Sequence, residues 1–293
     1  MKLTDFQIRS IAEIEYVRNG MYGDLDFNGT LDYMHRRYVQ PVSGVIDISQ
    51  ASLADCAAGF GWLSFAFLLA GGKTATLIDA DLSRISAAEE IAQILGVHDR
   101  CTFANSFLQQ TMIDADSVDI FACIETLEHV GEENVHACLS AICNSAKHVV
   151  VLTTPNKLFP LIAHDTRLPF AHWLPPFLLK RYAKWFGREK CELGNYFLAP
   201  WHLSVLRKKF VPKTSFQTFA GMHDFDRFYP HYLPYGNMPQ FRIRRSPSKL
   251  QRLFVLCAGK IFGVNAHAVS PNLATIWCRR VTEDGLISPK HAP

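Results

Sequence analysis

None of the eight cysteines forms a CxxC pair, and the chain has no internal repeat and no low-complexity tract. Cysteines standing singly, with Cys56, Cys101 and Cys123 inside apolar runs, exclude a disulfide framework and fit reduced thiols. The opening MKLTDFQIRSIAEIE has no basic segment leading into an apolar one. It is amphipathic with early acids, so no signal peptide is expected and a cytoplasmic location is. Charge is missing from the 17 residues CAAGFGWLSFAFLLAGG between Asp55 and Lys73. That is about the lower length limit of a membrane span, but four glycines and tight charged flanks fit a Gly-rich turn followed by one buried helix.

What the chain does have is apolar surface. Of its 293 residues 48% are hydrophobic and 19% charged, which supports a sizeable core and excludes disorder. The net charge of +3 conceals an asymmetry. Residues 1–155 hold 9 basic and 20 acidic side chains, residues 156–260 hold 18 and 5, and the remainder 3 and 2. Eleven of the 15 prolines and 20 of the 35 aromatics fall in 155–260, placing an organisational boundary near Pro155. The expected units are a helical cap over 1–40, a ligand-binding core over 41–155, a substrate lobe over 156–265, and a last strand and tail over 266–293.

Periodicity predicts a first helix over about 4–18, ending at Asn19-Gly20, and a second after Thr30 as N-cap. From Gln50 strand-like runs (ASLAD, KTATLID, RCTFAN, SVDIFACI, KHVVVLTT) alternate with helix-like ones. This is the pattern of βαβ units in a parallel sheet covered by helices on both faces, an α/β doubly wound fold, whose ligands bind at the carboxyl ends of the strands. Beyond Pro155, PPFLLKRYAKWFG, WHLSVLRKKF and SKLQRLFVLCAGKIFG read as helices, and TSFQTFAGM and NLATIWCRR as strands.

The first strand ends at Asp55, and its turn carries Gly59 and Gly61 before a helix, which lets backbone approach a ligand closely. The second ends at Asp79, a carboxylate able to accept from both hydroxyls of a ribose, while Asp81 is placed to cap the next helix. The third ends at Asn105-Ser106 and the fourth at Glu125. A pyrophosphate would want free N–H groups and no carboxylate at this turn, so Asp55 and the acidic half argue against a dinucleotide.

LADCAAGFGWLSFAF, TLIDAD, FANS, SVDIFACIETLEHV and VVVLTTPN, in this order and spacing, resemble the successive motifs of class I S-adenosylmethionine-dependent methyltransferases. The resemblance implies a Rossmann-like, mostly parallel seven-stranded sheet with N-terminal helices and a basic, aromatic-rich insertion after the fifth strand. It implies S-adenosylmethionine as methyl donor, lined by Asp55, Ala57, Gly59 and Gly61, with Asp79 and Ala80 at the ribose, Asn105 and Ser106 at adenine, and Glu125 beside them. Such turns usually carry glycine where Ala57 stands. Alanine there requires φ below zero, and Asn105 replaces a more common Asp, its carbonyl still able to accept from an adenine amino group.

ETLEHV places Glu125, Glu128 and His129 within one turn. It resembles the E-x-x-E-H run of quinone-biosynthesis and polysaccharide O-methyltransferases, and also the metal-binding run of small-RNA 2′-O-methyltransferases. On a helix the three would share a face and suit a divalent metal, completed by His164 or, better, His172. Without metal, His129 or His172 is the candidate base for a hydroxyl acceptor. The expected reaction is O-methylation of a sugar or phenol, on a small molecule or a lipid- or phosphate-linked intermediate. The alternatives are a metal-dependent RNA 2′-O-methyltransferase and a non-catalytic S-adenosylmethionine-binding protein. Lys180, Arg181, Lys184, Arg188 and Lys190, then Arg207, Lys208 and Lys209, then Arg242, Arg244 and Arg245 imply an anionic acceptor. Their apolar neighbours also fit peripheral contact with the inner face of a membrane. Nucleic acid fits less well, because most aromatics sit at core-like spacing.

Overall fold

The computed structural model describes residues 2–19, 25–110, 113–160, 162, 166–188, 195–213, 249–262, 273 and 275–280. The chain begins with a capping box at Thr4, whose Oγ1 accepts from Gln7 N–H while Gln7 Oε1 accepts from Thr4 N–H. The expected single helix is broken in two, α1 (Asp5–Glu13) and α2 (Glu15–Asn19), because Ile14 turns extended at ψ 124°. The bend lets Ile11, Ile14 and Val17 all reach the core. Helix α3 (Phe27–Met34) starts at Asp26, whose carboxylate accepts from Gly29 N–H at 3.0 Å; Thr30, the expected cap, is buried within it. A π-helical turn, His35–Val39, then leads into α4 (Gln40–Ser43).

Five parallel strands follow: β1 (Ser52–Cys56), β2 (Thr74–Asp79), β3 (Cys101–Asn105), β4 (Val118–Ile124) and β5 (Ala146–Thr153). With β6 (Phe210–Lys213) and β7 (Thr275–Arg279) they make one sheet in the order β3-β2-β1-β4-β5-β7-β6, in which β7 runs antiparallel to both neighbours. The expected doubly wound, mostly parallel sheet of seven strands is present. The sixth strand is FVPK; TSFQTFAGM lies outside the described residues.

Buried alternation along β4 shows why the strands read as continuous apolar runs. Ile120 and Ala122 join a core with the N-terminal helices, α5 (Trp62–Leu69) and α6 (Leu82–Leu95), whereas Phe121 and Cys123 join a second core with α7 (Glu132–Ser145) on the opposite face. Helix α5 is the uncharged stretch. It is apolar on all sides because it lies between sheet and α3, with Trp62 stacked on Phe27 at 5.5 Å. Asp81 caps α6 through Ser83 N–H as expected, and Tyr16 of α2 donates to its other oxygen at 2.8 Å.

After β5 come a 3-10 turn (Ala171–Trp173), helix α8 (Pro176–Trp185), a 3-10 run (Pro200–Lys208) where a helix was expected, and α9 (Lys249–Phe262). The 3-10 run is tied at its start by Ala199 N–H donating to His202 Nδ1 and leads directly into β6. No helix among the described residues is long and apolar enough to cross a membrane.

Candidate active site

The carboxyl ends of β1 to β5 converge, and the β1–α5 turn sits at their centre. Its backbone is fixed by Ala58 N–H donating to Ile78 O at 3.0 Å and Gly61 N–H donating to Ala58 O at 2.8 Å. Gly61 has φ +78°, and a Cβ there would press into Leu77 Cδ2 and lie 2.9 Å from Phe65 Cζ, so helix and strand approach as closely as glycine allows. Gly59 also has a positive φ, but a Cβ there would meet nothing within 4 Å. Gly61 is therefore closed by protein, and Gly59 borders open space where a ligand can lie against backbone.

Ala57 corrects an expectation. Its φ is +57°, not below zero, so the turn keeps the left-handed geometry that glycine would adopt, at a cost of about 1 kcal/mol. Ala57→Gly is expected to leave stability unchanged or raise it by up to about 1 kcal/mol, a gain of roughly 2–4 °C in a thermal melt, since relieved strain slightly exceeds the added backbone entropy of the unfolded chain.

Asp79, at the end of β2, is buried and holds the turn. Its Oδ2 accepts from Gly59 N–H at 2.8 Å and its Oδ1 from Asp81 N–H at 2.9 Å. Each oxygen keeps a second lone pair. Asp79 is also paired in register with Asn105, whose Nδ2 donates to the Asp79 carbonyl at 2.9 Å, while Ser106 N–H donates to the same carbonyl at 3.0 Å. This fixes the amide orientation of exposed Asn105 and leaves its Oδ1 as an acceptor. Asp55, at the end of β1, is buried against the start of α5 and accepts from Ser64 Oγ at 2.8 Å and Ser64 N–H at 3.3 Å. Burial raises its pKa to about 6, with Asp79 adding to the rise and the Ser64 hydrogen bonds opposing it.

The ETLEHV segment departs from expectation. Glu125, Glu128 and His129 do not share a helical face, because Leu127–His129 is a 3-10 turn in which successive side chains diverge by about 120°. Glu128 points inward and is fully buried, its Oε2 accepting from Thr154 Oγ1 at 2.9 Å; His129 points outward, its Nδ1 2.9 Å from Asn195 Oδ1. Glu125 adopts φ +48°, strained for a non-glycine residue. Burial first, then the neighbouring Glu125 charge, pushes Glu128 well above the carboxylate range; burial raises Glu125 too, opposed by Arg37. Glu128 is therefore the more readily protonated of the two, and the pair titrates as a unit.

Arg37 comes from the π-helical turn. It is buried, donates to Tyr33 Oη, and places its guanidinium 5.0 Å from the Tyr33 ring centroid and 5.6 Å from that of Tyr38. Sequence reasoning missed it. The only signal was a pair of arginines within an apolar helical run. It also missed the wall built by residues 195–199, where Tyr196 N–H donates to Glu128 O at 2.9 Å and Lys157 N–H to Leu198 O at 2.8 Å.

His172 does not join the cluster. Its Nε2 lies 3.0 Å from the Lys157 carbonyl, which ties the ring to backbone beyond β5, and burial lowers its pKa. His164 lies outside the described residues. Among the described residues no three His, Cys, Asp or Glu side chains converge on a position that could hold a metal ion. The expected set Glu125, Glu128, His129 and His172 is therefore not assembled, because Glu128 faces the core, His129 faces outward and His172 is fastened to backbone.

Sheet order and the position of this cluster define the class I methyltransferase fold. An S-adenosylmethionine-dependent methyltransferase from Mesorhizobium loti superposes with a TM-score of 0.50 at 14% identity, covering 85% of this chain and all of that one. Magnesium protoporphyrin IX methyltransferase from Synechocystis PCC 6803, solved with S-adenosylhomocysteine, gives 0.48 at 17% identity over 71% and 85% of the two chains. The [4+2]-cyclase SpnF gives 0.48 at 13% over 86% and 80%. No family model and no curated protein matches the chain. Identities this low establish the fold, and the reaction has to be argued from the site.

Proposed function

We propose that the protein is an S-adenosylmethionine-dependent methyltransferase acting on the hydroxyl of a sugar or phenol, on a small molecule or a lipid- or phosphate-linked intermediate. The observation that carries the reading is the row of acceptors at three adjacent strand ends. The Asp79 carboxylate retains two lone pairs for a ribose, Gly59 beside it leaves backbone open to a ligand, and Asn105 is held with its carbonyl outward for an adenine amino group. The carboxyls of Asp55 and Glu125 lie where a sulfonium and an ammonium would favour their charged forms. Residues present and cofactor thus agree in shape and sign.

When bound, the cofactor supplies an electrophilic methyl group, and the protein's part is to position and desolvate the acceptor oxygen and take its proton. His129 is the proposed base. Its Nδ1 lies 2.9 Å from Asn195 Oδ1, a contact that orients the exposed ring, and an imidazole is the side chain suited to take a hydroxyl proton near neutral pH. Arg37 favours the charged form of Glu125 against the effect of burial, and Thr154 holds Glu128 in place, so both act by positioning.

Supplying radiolabelled methyl donor to the full chain with polysaccharide, lipid, phenolic and RNA fractions tests the reaction. Label in an alkali-stable ether of a sugar or phenol is expected. Label in RNA alone, or cofactor binding with no labelled fraction, would replace this reading by one of the two alternatives.

Asp55 makes the binding pH-dependent. A cationic ligand favours the ionised carboxylate, so affinity should rise about tenfold from pH 5 to pH 7 and level off above the pKa of about 6. Stability of the ligand-free chain moves the other way for this group: a raised acid pKa makes the folded state the stronger proton binder, so its contribution improves as pH falls from above 6 toward the unfolded value of 3.8. Calorimetric titrations with S-adenosylmethionine across that range should show the slope in the parent protein and a flat profile in Asp55→Asn.

A further inference from the structure

We infer that α8, with the 3-10 turn before it, is a docking surface for an anionic lipid bilayer. Helix α8 buries Ala183 completely, and the side of the helix opposite Ala183 should by ordinary amphipathicity be polar. Instead it carries Phe177, Leu178 and Trp185, 64%, 39% and 81% exposed, with Arg181 between them and Lys180 and Lys184 along one edge. Phe186, 59% exposed, continues the patch at the end of the helix, and Phe170 and Trp173, in ring contact at 5.2 Å, continue it before the start.

Charge selects the occupant. From Thr166 to Arg188 there is no Asp or Glu, while Arg167, Lys180, Arg181, Lys184 and Arg188 give +5. Exposed aromatics interleaved with long cationic side chains match the boundary between acyl chains and anionic headgroups, where rings sit in the apolar layer and ammonium or guanidinium groups reach the phosphates. A two-fold contact with a second copy would set these positive charges against each other. At ten residues, about 15 Å, α8 can lie on a bilayer and cannot span one.

The surface is fastened to the sheet. Trp173 Nε1–H donates to the Lys157 carbonyl at 2.6 Å, and His172 binds the same oxygen, so the turn is anchored just beyond the end of β5. A docked bilayer would therefore lie at the carboxyl edge of the sheet, beside the candidate site. The inference concerns binding and does not depend on the proposed reaction.

Co-sedimentation of the full chain with vesicles containing about 30 mol% phosphatidylglycerol, and with pure phosphatidylcholine vesicles, tests it. Partitioning onto the anionic vesicles is expected to be at least about tenfold stronger. Trp185→Ser and Lys180→Glu/Lys184→Glu should each weaken it by about tenfold, with unchanged melting temperature and cofactor titration because all three side chains are exposed. Equal binding to both vesicle types, wild-type partitioning of the variants, or a wild-type dimer that Trp185→Ser converts to monomer would overturn the inference. So would retention of an RNA oligonucleotide without vesicle binding.

Discussion

Asp79→Ala is expected to weaken S-adenosylmethionine binding about 100-fold while leaving a folded chain. Two hydrogen bonds from ribose hydroxyls to a buried carboxylate contribute about 1.5 kcal/mol or more each, together about 3 kcal/mol. The same substitution releases Gly59 N–H and Asp81 N–H, so a further loss of about 1–2 kcal/mol of stability is expected in a denaturant melt. Calorimetry with S-adenosylmethionine and S-adenosylhomocysteine separates the two effects, because both ligands carry the ribose and both should lose affinity equally. Full retention of affinity by the variant would remove Asp79 from the site.

Gly61→Val should have the larger effect on the fold, about 2–5 kcal/mol. A left-handed φ costs a side chain about 1–2 kcal/mol, and a Cβ forced against Leu77 and Phe65 adds about 1–3 kcal/mol of overpacking. In a chain of this size that lowers the melting temperature by roughly 4 °C or more, readable by circular dichroism. Gly59→Ala is the control. It meets the same backbone penalty but open space, so it should fold with a loss of only about 1–2 kcal/mol and show its main deficit in cofactor titration. Equal destabilisation of the two variants would mean that Gly59 is as enclosed as Gly61.

The five parallel strands and their ends were readable because each element is local: apolar runs of five to eight residues, a breaker, then a helix of regular period. Asp79 and Asn105 were expected at the ends of the second and third strands, and there they stand, paired in register. Arg37 could not. The π-helical turn inserts an extra residue per turn, so a period of 3.6 counted from Phe27 points the wrong side chain at the site. His129 with Asn195, and Tyr196 with Glu128, join positions more than 60 residues apart, and nothing in either segment encodes its partner. The ETLEHV reading failed for a smaller reason, since the segment forms a 3-10 turn of three residues, which aims Glu128 and His129 differently from an α-helix.

The placement of β7 between β5 and β6 has a consequence for synthesis. Val149 pairs with Cys278, and Phe210 with Arg279, so two neighbouring strands await a third that is translated long after both. Until residues 275–279 emerge, the nascent chain holds an open edge along Val149–Leu152, an apolar strand with unpaired backbone groups. Closing that gap is a high-contact-order step, slow compared with forming the local βα units already complete. The β1–α5 turn is thus assembled from the first hundred or so residues, whereas the sheet that carries it is sealed last.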